Sequence, residues 1–471
     1  MAANALDLDP AARERAAQRA RALLPGLQAA GLKRLAISFV NHAGATLVKG
    51  VPLPRLEPVA RDGVGFSPVS DAWTIDGLPD ADHPLAVPDG DLRMLPDLEA
   101  LRPLERDWAW APGTRHDRDG LLYAADQRGF LRRQVAALAA EGLTLRMGFE
   151  LEWVVGIPQG EGAWRPAVAG GPYGADRLLE GLDYASAVSE ALDAAGLAWL
   201  QIHPEYGAGQ FELSLAGGTP LEAADAMVLT RLLIQRVTAR FGWRCSFSPL
   251  PAPGLVGNGG HLHLSVRQHG RPLLQGGGGP AGLTAEGEAL IAGLLENLPA
   301  LLPLACPLAL SYRRLQPGSW SAPFQSWGVE NREAALRLVP SADDGADAHL
   351  ELKVADPAAN PYLLVGGVLA LLPEALGHPR PLPAPVRGDP SRLPSPPPRL
   401  PHSLPEAAAA FAAHGGLRRA MGPLLHDTLQ ASQRAEARRG EALPLQELVA
   451  SSLWVPTAPP LIGAGSAPQF T

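Results

Sequence analysis

Cysteine is scarce in this 471-residue chain, which contains only Cys245 and Cys306. The two residues are far apart in the sequence and form no Cys-x-x-Cys pair. Neither a disulfide framework nor a zinc site built on cysteine is therefore indicated. The default environment for such a chain is a reducing cytoplasm, and a cytoplasmic location is our expectation.

Long apolar runs and positive net charge are also missing. The most apolar run, residues 291–310, is interrupted by Glu296, Asn297 and three prolines, so it is poor material for a membrane span. Residues 1–21 carry charges where a signal peptide would need an apolar core. A net charge of −8 argues against a nucleic-acid surface. We expect small-molecule partners, with no membrane and no nucleic acid.

Three common signatures of catalysis are absent. The sequence contains no Walker phosphate-binding loop and no Rossmann glycine fingerprint, and no Ser-His-Asp triad is readable. The glycine-rich residues 257–260 open a strand, so by themselves they are a weak signal for phosphate binding. Any phosphate chemistry must therefore use another arrangement of side chains.

The segment around which the chain is organised is residues 148–155, Gly-Phe-Glu-Leu-Glu-Trp-Val-Val. Its alternation of apolar and polar residues predicts a strand, in which Glu150 and Glu152 share one face. Two like charges on one face indicate either that the face meets water or that it meets a cation.

Three further segments repeat this alternation. Each one places polar side chains on one face of a predicted strand: Gln210, Glu212 and Ser214; His261, His263 and Ser265; His349, Glu351 and Lys353. A solvated face would more often mix Thr, Lys, Arg and Asp. Four strands of this kind predict the wall of a polar site on a sheet.

Carboxylates dominate that predicted wall. Together with one imidazole they form the set Glu150, Glu152, Glu205, Glu212, Glu351 and His261. Packed together without cations, the carboxylates would raise one another's pKa at a cost of roughly several kcal/mol. Oxygen-rich ligands with one imidazole suit Mg²⁺ or Mn²⁺. The residues alone leave metal binding open, since nothing in them proves that the strands are neighbours.

Basic residues follow these segments in the second half of the chain: Arg313, Arg314, Arg332, Arg337 and Lys353. Any one of them can be an ordinary surface or ion-pair residue. As a group beside acidic strands they favour phosphoryl chemistry, in which cations and arginines share the charge of the transferring group.

The residue pattern changes near residues 112–118, and secondary-structure signals are readable on both sides of this change. Residues 10–30 predict a helix, and residues 35–50 predict a hairpin around residues 41–44. A long helix over residues 219–241 has a clear start signal, with Thr219 as N-cap, Pro220 at the first helical position and Glu222 three residues after the cap.

The ordered motifs resemble those of the glutamine synthetase superfamily, from about residue 35 to residue 436. The matching blocks are GFELE (148–152), EYGAGQFE (205–212), GNGGHLHLS (257–265), SYRRLQPG (311–318), NR (331–332) and ELKVADPAANPY (351–362). This resemblance implies an α+β fold with a small N-terminal β-grasp domain and a C-terminal catalytic domain, a curved antiparallel sheet flanked by helices. The implied divisions are an N-terminal helix at 1–33, the β-grasp domain at 34–113 and the catalytic domain at 114–471.

The same resemblance implies roles for individual residues. One metal would be held by Glu152, Glu205 and Glu212, and a second by Glu150, His261 and Glu351, with two to three Mg²⁺ or Mn²⁺ ions per active site. The remaining implied roles are substrate binding by Gly257, Arg314, Lys353 and Trp320, nucleotide contacts by His263, Ser265, Arg332 and Arg337, and catalysis by Arg314 and Arg332.

The implied activity is an ATP-dependent ligase of nitrogen metabolism. ATP would phosphorylate the γ-carboxylate of glutamate, and an amine would displace phosphate to give a γ-glutamyl amide. A homo-oligomer, with ring assembly into a dodecamer, is a further expectation from the family.

Two departures from the ammonia-using pattern bear on the amine. Residues 318–323, Gly-Ser-Trp-Ser-Ala-Pro, which we call the flap, lack the glutamate that ammonia-using members carry there. Ser67 aligns where those members carry an ammonium-binding aspartate, although Asp71 is close enough to take that place. The missing negative groups and Trp320 favour an apolar or larger amine, as in γ-glutamyl polyamine and ethanolamine ligases. A true glutamine synthetase and a non-catalytic binding or regulatory protein are the alternatives, and Trp320 can equally serve packing.

Overall fold

The computed structural model describes residues 6–160, 163–341 and 348–454. Its helices, in chain order, are α1 Pro10–Ala29, α2 Leu56–Asp62, α3 Gln127–Ala140, α4 Ala175–Glu180, α5 Leu182–Ala194, α6 Pro220–Arg240, α7 Ala285–Ala305, α8 Ser311–Arg314, α9 Pro361–Gly377, α10 Leu404–Ala413, α11 Gly415–Met421, α12 Pro423–Ala442 and α13 Leu445–Leu453.

The strands form two separate sheets. In chain order they are β1 Arg34–Val40, β2 Thr46–Pro52, β3 Val64–Phe66, β4 Leu92–Pro96, β5 Arg102–Glu105, β6 Trp108–His116, β7 Leu143–Gly160, β8 Ala163–Pro166, β9 Trp199–Pro204, β10 Gln210–Leu215, β11 Arg244–Ser246, β12 Leu262–Gln268, β13 Arg271–Pro272, β14 Trp327–Val329, β15 Leu336–Val339 and β16 His349–Leu352.

The first sheet has the order β2-β1-β6-β4-β3, with β5 on the edge of β6. Strands β1 and β6 pair in parallel, whereas the predicted hairpin of β1 and β2 is antiparallel and is confirmed. Helix α1 confirms the predicted N-terminal helix and packs on this sheet through a core that includes Leu35, Ile37 and Phe39.

The second sheet has ten strands, with β14-β15-β16-β12-β7-β10-β9 as its main path. Every pair is antiparallel except β14 with β15. Strand β7 is 18 residues long and pairs with β12 along its first half and with β10 along its second half. The predicted fold class is confirmed; the boundaries at residues 33 and 113 remain predictions.

Alternation gives β7 two different faces. Phe149, Leu151 and Trp153 are buried in the main hydrophobic core, which also contains apolar residues of α3, α6, α7 and α9. Glu150 and Glu152 necessarily point to the opposite face. The burial of the apolar residues therefore fixes where the carboxylates point.

Helix α6 begins as the sequence predicts. The Thr219 hydroxyl accepts a hydrogen bond from the Glu222 amide, and the Glu222 carboxylate accepts one from the Thr219 amide, which completes a capping box. The helix then carries Asp225 and Arg231 into the interior.

One described helix, α7, is long and apolar enough to cross a membrane by length and composition. In its most apolar window 78% of the residues are buried inside the protein, as expected of a core helix.

Candidate functional site

The four strands predicted to form a polar wall are neighbours, in the order β16-β12-β7-β10. Glu212 of β10 pairs with Glu152 of β7, and Ser214 pairs with Glu150. On the other side of β7, His263 of β12 lies opposite Gly148, and Glu351 of β16 lies opposite His263. Because paired residues share a face, these side chains converge on one surface of the sheet.

The first cluster on this surface combines two carboxylates with two imidazoles. His261 Nδ1 lies 3.3 Å from Glu150 Oε2 and 3.3 Å from Glu351 Oε1. His263 Nε2 lies 3.5 Å from the same Glu150 oxygen. Ser265 follows on the same face of β12, opposite Arg146. His263, which the family resemblance associates with the nucleotide, therefore also belongs to the carboxylate cluster.

The two carboxylates of this cluster have lowered pKa values. Burial by itself would raise the pKa of Glu150, but the hydrogen bonds of His261 and His263 outweigh it, so the pKa is lowered. Burial of Glu351 is similarly outweighed by the charges of Lys353 and His261, which bring its pKa to about 2. Both groups are ionised at neutral pH.

The second cluster gathers around Glu152. Its Oε2 atom accepts hydrogen bonds from the Gly259 amide at 2.9 Å and from Gln210 Nε2 at 2.9 Å. Across the strand pair, Glu212 Oε1 lies 3.3 Å from Nε2 of His203 on β9. Glu205 follows β9 and accepts a hydrogen bond from the Tyr173 hydroxyl at 2.8 Å.

Electrostatics distinguish this cluster from the first. Burial and the neighbouring charge of Glu212 raise the pKa of Glu152 and of Glu205. The hydrogen bond to Glu212 raises the pKa of His203 to about 9. The carboxylates are therefore held close together at a cost, and His203 is the nearest positive charge that offsets it.

The donor atoms fit divalent cations. One potential ligand atom from each of Glu150, His263 and Glu351 lies within 4.8 Å of the other two. Gly259 leaves the space beside Glu152 open, because a Cβ atom there would lie 2.8 Å from Glu152 Oε1 and 2.4 Å from His261 Nε2. Carboxylate oxygens with imidazole nitrogens suit Mg²⁺ or Mn²⁺.

The predicted cationic residues approach the carboxylate clusters to different degrees. Arg337 Nη1 lies 3.2 Å from Glu351 Oε2, and the guanidinium also pairs with Glu330. Arg332 is exposed in the loop between β14 and β15. Lys353 Nζ is buried and donates to Glu351 Oε1 at 3.1 Å, so its charge is already paired within the first cluster.

Arg314 and Gly257 lie against each other, as expected if both contact one substrate. A Cβ atom on Gly257 would lie 2.8 Å from Arg314 Cγ and 2.3 Å from the Pro249 oxygen, so only glycine fits. Arg314 is buried, and its guanidinium donates to the carbonyl oxygens of Val354 at 2.9 Å and Lys353 at 3.4 Å. Part of its donor capacity is therefore committed to the backbone.

The flap carries an exposed tryptophan on a strained backbone. Trp320 is 65% exposed, and its φ of 57° lies in the left-handed region. Its amide donates to Glu333 Oε1 at 2.8 Å. Burial raises the pKa of Glu333. The carboxylate of Glu333, next in sequence to Arg332, therefore anchors the flap.

The structure separates the two candidates for the ammonium-binding position. Asp71 is fully buried, and it accepts hydrogen bonds from Arg115 at 2.7 Å and from Gln127 at 3.0 Å. Ser67 is half-buried and caps the short 3-10 helix Pro68–Ala72. Asp71 is therefore a structural carboxylate, and Ser67 is the more accessible of the two.

Sequence reasoning missed three residues of this surface: His203, Tyr173 and Glu333. The position of His203, two residues before Glu205 in a predicted strand, offers a signal, because it follows the same alternation. Tyr173 lies outside every motif, and the acidic residue after Arg332 carries no signal of its own. Their roles become visible only through contacts.

Clustered carboxylates and imidazoles on a curved sheet, with arginines beside them, are typical of enzymes that use divalent cations on anionic substrates. Residues 124–446 match the family described as glutamine synthetase, catalytic domain. The chain belongs to the glutamine synthetase family.

Individual relatives agree with this assignment. The chain is 43% identical over 457 residues to gamma-glutamylpolyamine synthetase GlnA3 of Streptomyces coelicolor, covering 94% of this chain and 98% of the relative. It is 29% identical over 354 residues to glutamate–methylamine ligase of Methyloversatilis universalis, covering 72% and 76%. A crystal structure described as a novel glutamine synthase homolog superposes with a TM-score of 0.79 at 30% identity, covering 89% of this chain and 97% of the other.

Proposed function

We propose that the protein is an ATP-dependent ligase that joins the γ-carboxylate of glutamate to a polyamine. The observation that carries this proposal is the row of carboxylates and imidazoles across four adjacent strands, combined with a flap that carries Trp320 and lacks the glutamate of ammonia-using relatives. The similarity to a gamma-glutamylpolyamine synthetase over nearly the whole chain supports the choice of amine.

The residues fit two cation sites. Glu152, Glu205 and Glu212 would hold one ion, and Glu150, Glu351 and His261 or His263 would hold another. Bound Mg²⁺ or Mn²⁺ would neutralise phosphate charge and polarise the phosphoryl group. His203 would hold Glu212 in place through the contact at 3.3 Å.

The remaining groups bind and orient the substrates. Arg314 and the narrow space over Gly257 would receive the glutamate backbone. Arg332 and Arg337 would contact the ATP phosphates, since a guanidinium can bind two phosphate oxygens together. His263 and Ser265 lie on β12, with His263 beside Glu150. The nucleotide would extend along this strand.

The reaction then proceeds in two balanced steps. A γ-carboxylate oxygen of glutamate attacks the γ-phosphorus of ATP, and the bond to ADP breaks. The amine nitrogen next attacks the acyl carbon of γ-glutamyl phosphate and loses a proton to solvent, and inorganic phosphate leaves. Arg332, exposed beside the flap, would stabilise the charge on the phosphate in both steps.

The amine would enter beneath the flap. Trp320 offers an apolar surface to the methylene chain of a polyamine, and its indole can also interact with an ammonium group. Asp71 is committed to Arg115, so the accessible Ser67 would leave this region without the carboxylate that retains ammonium.

The test is phosphate release from ATP, with Mg²⁺ and glutamate, in parallel reactions with putrescine, spermidine, methylamine, ethanolamine and ammonia. We expect the highest kcat/KM with a polyamine and about a hundredfold loss or more in Glu212→Ala. Glu141→Ala, a change at an exposed carboxylate outside the site, is the matched control.

Each other outcome assigns a different function. Best turnover with ammonia would make the protein a true glutamine synthetase, which is the second enzymatic candidate. Binding of ATP without turnover for any amine would indicate a non-catalytic member of the family, and would refute the proposal.

Two coarser properties accompany this function. We infer a cytoplasmic location, where ATP and glutamate are available, and a homo-oligomer, with the dodecamer as the assembly expected from the family. Light scattering on the purified protein measures the number of subunits directly.

A further inference from the structure

Arg231 of α6 is a buried guanidinium with an unused donor. The residue is 6% exposed. Its Nη1 atom donates to the carbonyl oxygens of Pro357 at 2.9 Å and Ala359 at 3.4 Å, whereas the buried Nη2 atom has no hydrogen-bond partner in the part of the chain that the structure describes. A buried donor without an acceptor is costly, and a native structure rarely leaves one unfilled.

Two other deeply buried arginines have a counter-charge that Arg231 lacks among the described residues. Arg115 pairs with Asp71, and Arg128 pairs with Asp225. Within residues 6–160, 163–341 and 348–454, no carboxylate pairs with Arg231. Burial lowers the pKa of Arg231 to about 10, so the group still carries its charge at neutral pH. An uncompensated buried charge calls for a negative partner.

The space for such a partner exists beside it. A cavity of about 50 Å³ is lined by Arg231 and, among others, Gln235, Gly44, Thr46, Ser248 and Ser452. A single water molecule needs roughly 10–15 Å³ of cavity volume, so the cavity has room for several waters or one small anion. Its described lining contains no carboxylate, and its hydroxyl and amide groups can donate hydrogen bonds.

We propose that this cavity is a binding site for a small oxyanion, either inorganic phosphate or a free carboxylate. The anion would accept a hydrogen bond from Arg231 Nη2 and neutralise the guanidinium. Charge-assisted hydrogen bonds of this kind are the stronger ones in proteins, and a cavity that excludes most water strengthens them further.

The site lies at a junction of the fold. The turn between β1 and β2 approaches residues 357–359 so closely that a Cβ atom on Gly44, whose φ is +83°, would lie 2.2 Å from the Ala358 oxygen. On the other side of this segment, Gly260 is the residue before His261, and its amide donates a hydrogen bond to the Ala355 carbonyl oxygen at 3.0 Å. A bound anion would therefore stabilise the segment that links the first sheet to the metal-facing surface.

Thermal unfolding of the full-length protein tests the proposal. Inorganic phosphate and acetate are added in separate series at constant ionic strength, balanced with gluconate, which is too large for the cavity. We expect the melting temperature to rise to saturation with phosphate, with acetate, or with both, and the response identifies the source of the oxyanion. In Arg231→Met the response should vanish or need at least about tenfold more anion.

The active site requires a separate control, because phosphate can also bind there. Arg332→Met removes an exposed guanidinium from the candidate active site, and the saturating response should persist in that variant. A response that is lost in Arg332→Met and kept in Arg231→Met would overturn the proposal, as would a wild-type protein without any response.

A crystal structure of the unmutated protein grown in selenate gives a readout that does not depend on the folding of a variant. An anomalous peak within hydrogen-bond distance of Arg231 Nη2 supports the site. Water density alone in the cavity refutes it.

Discussion

Asp356 is a residue whose burial should be visible in the pH dependence of stability. It is 1% exposed, and one of its carboxylate oxygens accepts a hydrogen bond from the Ala358 amide at 3.0 Å. Burial raises its pKa to about 6, although the charge of Arg314 acts in the opposite direction. The folded state therefore prefers the protonated acid.

The sign of the effect follows from linkage. Because the folded-state pKa lies above the unfolded value, the stability contributed by the protonated acid is complete below about pH 4 and is lost as the pH rises through 6. Asp356→Asn mimics the protonated acid at every pH. Relative to wild type, its free energy of unfolding should increase by about 1–2 kcal/mol between pH 5 and pH 7.5. Urea unfolding at both pH values measures this change, and the exposed Asp119→Asn should show none.

Much of the candidate site could be predicted at the scale of single residues. Strand alternation places Glu150 and Glu152 on one face without knowledge of the fold. The contact of His203 with Glu212 depends on the pairing of β9 with β10, which local sequence does not specify. The same alternation places Lys353 on the face of Glu351, two residues earlier, and the structure shows the amine bonded to that carboxylate.

At the scale of elements, the flap depends on one carboxylate outside it. Trp320 adopts a φ that costs about 1 kcal/mol or more for a residue with a side chain, and its amide bonds to Glu333. Glu333→Ala removes this anchor. If the proposed function is correct, the KM for the amine should rise about tenfold, the effect of one charge-assisted hydrogen bond, while the KM for ATP changes little.

Steady-state kinetics with each substrate varied in turn separates these effects. Glu333→Gln keeps an oxygen that can accept the Trp320 hydrogen bond and should have the smaller effect. Equal increases in both KM values would contradict a role confined to the flap.

The start of α6 gives a second prediction at this scale. Thr219→Ala removes the hydroxyl half of the capping box and should lower the free energy of unfolding by about 1 kcal/mol. Thr219→Ser retains the hydroxyl and serves as the control in urea titrations. A loss of the same size in both variants would show that the capping hydrogen bond is not responsible.

Elements were predictable where their signals are local. The cap of α6 and the hairpin of β1 and β2 follow from a few adjacent residues. The strained flap does not, because Trp320 and Ala322 both have positive φ values although neither is glycine. Contacts with the rest of the chain, such as that with Glu333, hold this conformation.

At the scale of the whole molecule, a buried network joins elements from both halves of the chain. Arg128 of α3 pairs with Asp225 of α6 at 2.8 Å and with Asp97, which follows β4, at 2.8 Å. The Tyr362 hydroxyl of α9 donates to the same Asp225 at 2.7 Å. Polar groups therefore link the first sheet to the helices that support the second.

Substituting Arg128, the centre of this network, should strongly destabilise the protein. Arg128→Ala leaves the buried Asp225 without its charge partner and should cost about 3–5 kcal/mol. Differential scanning calorimetry should show a clearly lower melting temperature, whereas Arg118→Ala at an exposed position should melt like wild type. An unchanged Arg128→Ala protein would mean that the network contributes little to joining the two sheets.

The strands that carry the carboxylates and the flap are under different structural constraints, and this difference has an evolutionary consequence. Glu150, Glu152, Glu212 and Glu351 lie on strands whose opposite faces form the hydrophobic core, so a substitution that disturbs these strands affects both the carboxylate surface and the stability of the fold. The tip of the flap lies at the surface, where Trp320 is exposed, whereas Ser321 and Ala322 are buried. If the proposed function is correct, relatives can exchange one amine for another through a few substitutions in this loop, while the carboxylate surface of the sheet stays unchanged.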